Sequence, residues 1–256
     1  MVFAGGDIYE GEWVKDKING QGRWSYPDGS YYEGSFKDGM RVSGKYVSAD
    51  SLEEYKGEWS QGLRHGKGIL FRKDLGVYEG QFDEDLPHGV GTFKFIDGSV
   101  YDGEWKAGRR SGTGMLKQHD EAYHGEWKDD AMHGKGILSS KTGFKYVGEF
   151  RNGLKEGKGR MQYMDGSVYE GEWKEGCRSG QGSCKYANGD KYVGQWLQNN
   201  RNGYGYCKFA DGTKFRGNWE DDGWVQTGAD PDQTRVAGAG ATRAIAGNKA
   251  TFIIQV

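Results

Sequence analysis

The sequence predicts an all-β protein, an elongated single-layer antiparallel meander of about nine to ten β-hairpins. Three observations carry that prediction. A Tyr-x-Gly-x-aromatic motif returns every 23 residues, its period is two, and many glycines and rings accompany few aliphatic runs.

The first strand of each hairpin rests on the recurring motif. Tyr9, Tyr32, Tyr55, Tyr78 and Tyr101 stand 23 residues apart; after one step of 22 to Tyr123 the spacing resumes at Tyr146, Tyr169, Tyr192 and Phe215. A glycine follows two positions later and an aromatic two beyond that. Tyr9 with Trp13, Tyr55 with Trp59, Tyr101 with Trp105, Tyr169 with Trp173 and Tyr192 with Trp196 therefore share one strand face as a structural stripe. Alternate residues such as Glu170 and Glu172 belong to the opposite, solvated face. Glycine between two rings leaves room for rings of neighbouring strands to lie over the backbone.

A polar loop of about six residues then leads to the second strand. Paired glycines such as Gly180 and Gly182 open it, an apolar residue such as Cys184 follows, and an Asp-Gly or Asn-Gly turn closes it, as at Asp165-Gly166 or Asn188-Gly189. At ~4.8 Å per strand, nine such hairpins extend roughly 90 Å. That length suits bridging better than enclosing a reaction.

Domain organisation follows the phase. Residues 1–8 are a lead, and residues 9–224 form the array, with units starting at 9, 32, 55, 78, 101, 123, 146, 169, 192 and 215. The second unit has only Gly44 where two glycines are expected, and the fifth is one residue short. Both hairpins are expected to be irregular. The tenth stops after Trp219 and is expected to cap the array, because Asp221-Asp222-Gly223-Trp224 supplies no second strand of the usual type.

Composition narrows the function classes. A net charge of −2, from 35 basic and 37 acidic residues, gives no footprint for nucleic acid. No apolar stretch approaches a membrane span, the first residues lack the pattern of a signal peptide, and three cysteines are too few for a disulfide framework. The expected compartment is cytoplasmic.

The pattern "YEGEW…G…HGKG…Y.DG" resembles the MORN (membrane occupation and recognition nexus) repeat over about residues 9 to 220. That resemblance implies a twisted β-meander with an aromatic groove, in a family that is largely non-catalytic. Its members serve membrane-associated scaffolds, junctional complexes, the cytoskeleton and ciliary radial spokes, and some enzymes carry the repeats as accessory domains. The tail, 225–256, resembles the start of a filamin-type immunoglobulin-like domain, which needs about 100 residues and is incomplete. Either the chain is the N-terminal part of a longer protein, the favoured reading, or the tail docks as extra strands on a partner.

Candidate sites reduce to one surface. The Gly-x-Gly pairs lack the helix that a phosphate loop requires. His65 and His88 fall on adjacent hairpins ~10 Å apart, too far to share a zinc ion, and Cys184 and Cys207 are too far apart for a disulfide on the same spacing. Glu170 and Glu172 lack the burial that separates the pKa values of an acid and a base. No catalytic residue, cofactor or metal is expected. Phe93, Phe95, Tyr163, Tyr186 and Phe209, at and beyond the apolar position of the second strand, are the candidates for a partner-binding groove.

The leading function is a non-enzymatic scaffold for protein–protein interactions in a cytoskeletal assembly, which the resemblance places first in a ciliary or flagellar axoneme. Its partners would be proteins of that complex, a helix or peptide lying in the groove, with a homo-oligomer as a further option. Two alternatives stay open: a phosphoinositide tether, disfavoured by small basic clusters, and an accessory domain of a larger enzyme.

Overall fold

The computed structural model describes residues 1–225. From Gln226 on, the expected immunoglobulin-like segment lies outside the described residues. All regular structure among the described residues is β-strand, arranged in two compact units. The first, residues 1–131, holds β1 (Ile8–Val14), β2 (Lys17–Ser25), β3 (Tyr31–Lys37), β4 (Met40–Val47), β5 (Glu53–Ser60), β6 (Leu63–Arg72), β7 (Gly76–Asp83), β8 (Leu86–Phe95), β9 (Val100–Lys106), β10 (Arg109–Gln118) and β11 (Glu121–Lys128). The second begins at Met132, inside β12 (Ala131–Ser140). It continues through β13 (Lys145–Arg151), β14 (Leu154–Gln162), β15 (Val168–Lys174), β16 (Cys177–Lys185), β17 (Lys191–Leu197), β18 (Asn200–Lys208), β19 (Lys214–Glu220) and β20 (Gly223–Val225). Within each unit every strand pairs antiparallel with its sequence neighbours, so the expected meander of hairpins is present.

Hairpin eight, β15 and β16, shows how the motif folds. Tyr169 lies opposite Cys184, Gly171 opposite Gly182, and Lys174 opposite Cys177. Only Glu175 and Gly176 remain to turn the chain, both left-handed with φ of 50° and 83°. Two consecutive positive φ values define the hairpin turn whose twist matches that of the flanking strands. The expected six-residue loop is therefore absent. Its residues are a two-residue turn plus strand, and Asp165-Gly166 sits instead in the wider connection between hairpins, closed by Tyr163 N–H donating to Ser167 O at 2.8 Å.

Past the turn the pairing steps from Glu172 with Ser179 to Gly171 with Gly182, leaving Gly180 and Gln181 as a bulge. Gly180 takes φ of 56°, and the Glu172 carboxylate accepts the Gln181 N–H at 3.2 Å. Glu58, Gln81, Glu104, Glu149 and Gln195 do the same for their own bulges. Residues assigned from sequence only to a solvated face thus also satisfy backbone donors.

The second glycine pair answers a different need. The Tyr169 ring folds over its own strand, covers Gly171 and Gly182, and donates its hydroxyl to Glu172 O at 2.8 Å. A methyl group on Gly171 would lie 2.5 Å from Gly182 Cα and 2.6 Å from the Tyr169 oxygen. The gap is filled by the hairpin's own tyrosine, not by rings of neighbouring strands as expected.

The irregular units are nearly regular. In hairpin two, Gly44 pairs with Gly34 beneath Tyr32, so the retained glycine is the covered one. The deleted residue comes from the bulge, where only Val42 is unpaired. Hairpin five pairs without interruption from Gly112 to Gln118 against β11 and turns at His119 and Asp120. The tenth hairpin does gain a second strand, three residues long, whose Trp224 ring packs 4.6 Å from Phe215.

Candidate functional site

The stripe is a continuous ladder of edge-to-face rings within each unit. Trp173 meets Tyr169 at 5.2 Å and Tyr146 of the preceding hairpin at 5.3 Å; Trp196 meets Tyr192 and Tyr169 at 5.2 Å each. Within each unit, such an aromatic therefore ties its hairpin to the preceding one, a geometry worth ~0.5–1.5 kcal/mol per pair beyond area burial. Tyr9, Tyr55, Tyr101, Tyr169 and Tyr192 are fully buried, and Trp59, Trp105, Trp173 and Trp196 nearly so. Trp13 departs from the expectation. It is 40% exposed, because no earlier tyrosine lies on its far side.

A second row, unnoticed in the sequence, stands nine residues after the tyrosine. Arg41, Arg110, Lys155, Arg178 and Arg201 lay their cations 4.2 to 4.6 Å from the rings of Trp59, Trp127, Trp173, Trp196 and Trp219 in the following hairpin. Arg64 stands at the same register, 6.0 Å from the Phe82 ring, and it, Arg110 and Arg201 also clamp the next turn. The Nε–H of Arg64, Arg110 and Arg201 donates to Asp85, Asp130 and Asp222 at 3.2, 3.1 and 3.0 Å. The register is legible in the sequence only with interruptions, since Ile18, Pro87 and Met132 fill the same place in their units.

Over this framework lies an open groove in each unit. The groove of the second unit, about 530 Å³, is bordered by Phe144, Met161, Tyr163, Met164, Arg178 and Tyr186. Two expected groove residues, Tyr163 and Tyr186, thus share one surface, with Phe144 added from the connection just before β13. Burial pushes the hydroxyls of both tyrosines above their ordinary range. The groove of the first unit, about 650 Å³, is more polar and includes Tyr26, Arg41, Tyr46, Glu53, Trp59 and Arg64. Tyr26 occupies the same register as Tyr163 and escaped the sequence reading. Phe93 and Phe95 pack against each other in the first unit with ring centres 4.3 Å apart and planes tilted by 36°, and Phe209 is half-buried in the second. None of these three borders either groove.

The chemistry offered is that of contact surfaces: rings, thioether methyl groups and guanidinium. Cys184 and Cys207 are free, and burial raises both thiols, that of Cys207 to about 11, which suppresses the reactive thiolate. The ring of His65 faces Asp83 at 3.4 Å.

Comparison with known proteins agrees with this architecture. The MORN repeat model matches nine segments: 9–31, 32–52, 55–76, 78–100, 101–120, 123–144, 146–168, 169–191 and 192–214. No curated protein matches the chain. Among solved structures it is similar to the wild-type TCP10 domain of Danio rerio CPAP, at 14% identity and a TM-score of 0.43, over 76% of this chain and 92% of that one. It is also similar to the SAS-4 (dCPAP) TCP domain of Drosophila melanogaster in complex with a proline-rich motif of Ana2 (dSTIL), at 14% identity and a TM-score of 0.31, over 81% and 92%. Likenesses so slight do not bear on function. With nine matched repeats covering most of its length, each built on the tyrosine, glycine and aromatic register described above, the chain belongs to the MORN repeat family.

Proposed function

We propose that this protein is a non-catalytic scaffold that holds a protein partner, an extended peptide or a helix, along its ring-lined face. The groove of the second unit carries the reading: half-buried Tyr163 and Tyr186 stand beside Phe144 and Met164 with no layer above them among the described residues of their own unit. Family membership supports a scaffolding role. A cytoskeletal assembly, and within it a ciliary or flagellar axoneme, is the first setting to examine, with the filamin-like reading of the tail as its support in the sequence.

The test replaces Tyr163 and Tyr186 with serine and measures partner capture and thermal stability together. Capture should fall while the melting temperature stays close to wild type, since neither ring belongs to the edge-to-face ladder. Unfolding of the double variant would return both rings to the core and remove the argument. A phosphoinositide tether makes the opposite prediction, strong and salt-sensitive sedimentation with anionic liposomes at physiological salt.

A further inference from the structure

Among the described residues, one member of the cation row keeps a buried nitrogen that its turn clamp leaves unsatisfied. At Arg64, Arg110 and Arg201 the following turn supplies an aspartate that takes both the arginine's backbone N–H and its Nε–H on one carboxylate oxygen. At Arg178 the residue in that place is Asn199. Asn199 Oδ1 accepts the Arg178 backbone N–H at 2.9 Å, and Asn199 O accepts a terminal guanidinium N–H at 2.6 Å. The Nε of Arg178 is left buried and without an acceptor among the described residues. Arg41 and Lys155 also lack a carboxylate, the Arg41 guanidinium donating to Gly62 O and the Lys155 backbone O accepting the Gly176 N–H, but neither has a buried nitrogen in this condition among the described residues.

This same arginine borders the apolar groove of the second unit. Its guanidinium carbon lies 4.3 Å from the Trp196 ring centre, 5.7 Å from that of Tyr169 and 6.0 Å from that of Tyr163. The acid on the groove rim, Asp165, is engaged by the N–H and hydroxyl of Ser167 at 2.8 and 2.9 Å, and it forms no ion pair with Arg178 among the described residues. A cation held among rings, short of one carboxylate and facing apolar side chains, is complementary to an acid flanked by apolar groups.

We propose that the groove of the second unit binds an extended peptide segment of a partner protein through an aspartate or glutamate that docks on Arg178, with a neighbouring aromatic or long aliphatic side chain lying between Tyr163 and Tyr186. The proposal rests on the scaffold reading and names the chemistry of the partner. It also assigns Asn199 a purpose: an aspartate there would complete the clamp and occupy the cation.

The experiment pans a phage-displayed library of short random peptides against the immobilised full chain and measures the enriched peptides by fluorescence anisotropy. The enriched sequences should share an acid within a few residues of a large apolar side chain. Asn199→Asp, which copies the working arrangement of Arg201 and Asp222, should weaken them about tenfold or more while raising the melting temperature. Arg178→Gln should weaken them similarly, and Asn199→Asp keeps the question answerable if that variant fails to fold. Enriched peptides without an acid, or an affinity unchanged by Asn199→Asp, would overturn the proposal and leave the scaffold reading intact. Enrichment of no peptide at all would overturn both. The tail beyond the described residues carries two acids, Asp230 and Asp232. Tighter binding by Asp230→Asn/Asp232→Asn would identify them as the occupant, and binding to phosphatidylserine vesicles lost in Asn199→Asp would assign Arg178 to lipid; either result overturns the proposal.

Discussion

The covered glycine pair is the most constrained feature at the scale of single residues. Gly171 has no room for a methyl group between Gly182 Cα and the Tyr169 oxygen, and most of what surrounds it is backbone. Gly171→Ala should therefore destabilise the second unit by about 2 kcal/mol or more, read as a lowered urea midpoint. The tyrosines above these glycines make a second prediction. Burial raises their hydroxyls above the ordinary range near 10, those of Tyr32 and Tyr192 to about 12. A raised folded-state pKa means that the neutral form is favoured in the fold. The stabilisation is complete below about pH 10 and is lost as pH rises through the folded-state values. Melting temperature should be flat across neutral pH and fall steeply from about pH 10 to 12, together with the rise of tyrosinate absorbance. A melting curve unchanged across that window would show that these hydroxyls are not held neutral by the fold.

Within a hairpin, the two halves were not equally legible from sequence. The first strand could be read because its faces alternate between Tyr, Gly and Trp on one side and charged residues on the other. The turn could not, because the residues with φ above zero vary from Lys15-Asp16 and Gln61-Gly62 to Ala107-Gly108 and Gln198-Asn199. The Asp-Gly and Asn-Gly pairs do close the turn after the second strand, as where Gly166 N–H donates to Tyr163 O at 3.0 Å, but the tighter two-residue turn between the strands carries no such fixed pair. The bulge was hidden for another reason: its stabilising acceptor is Glu172 or an equivalent, eight or nine residues earlier and indistinguishable by type from a solvated acid. Glu172→Ala should cost about 1 kcal/mol by orphaning the Gln181 N–H, whereas Glu172→Gln should be nearly neutral, since Gln81 and Gln195 already fill that place. Equal losses in the two variants would count against the hydrogen bond.

At the scale of the whole molecule, stabilising contacts run from one hairpin to the next within each unit, through ring pairs, cation rows and turn clamps. Such arrays unfold with energies that are sums over neighbours. A chain lacking residues 1–31 should stay folded, with a smaller urea m-value in proportion to the surface removed and with Phe36 newly exposed as Trp13 is now. Complete unfolding of that chain would contradict the neighbour-only picture. The groove was only partly legible at this scale. Tyr163 and Tyr186 were found because rings recur at their register, but Phe144 and Arg178 join them through strand pairing that no local pattern displays.

The shortened bulge of hairpin two has a consequence for how such a sequence can change. One residue is missing from the bulge, yet Gly44 still lies under Tyr32, and Tyr55 still arrives 23 residues after Tyr32. The connection at Ser48 to Leu52 makes up the difference. Each unit resets its own phase, as a marked line of text resumes alignment at every margin. A dropped or added residue is absorbed where it falls and is not passed on to the units that follow.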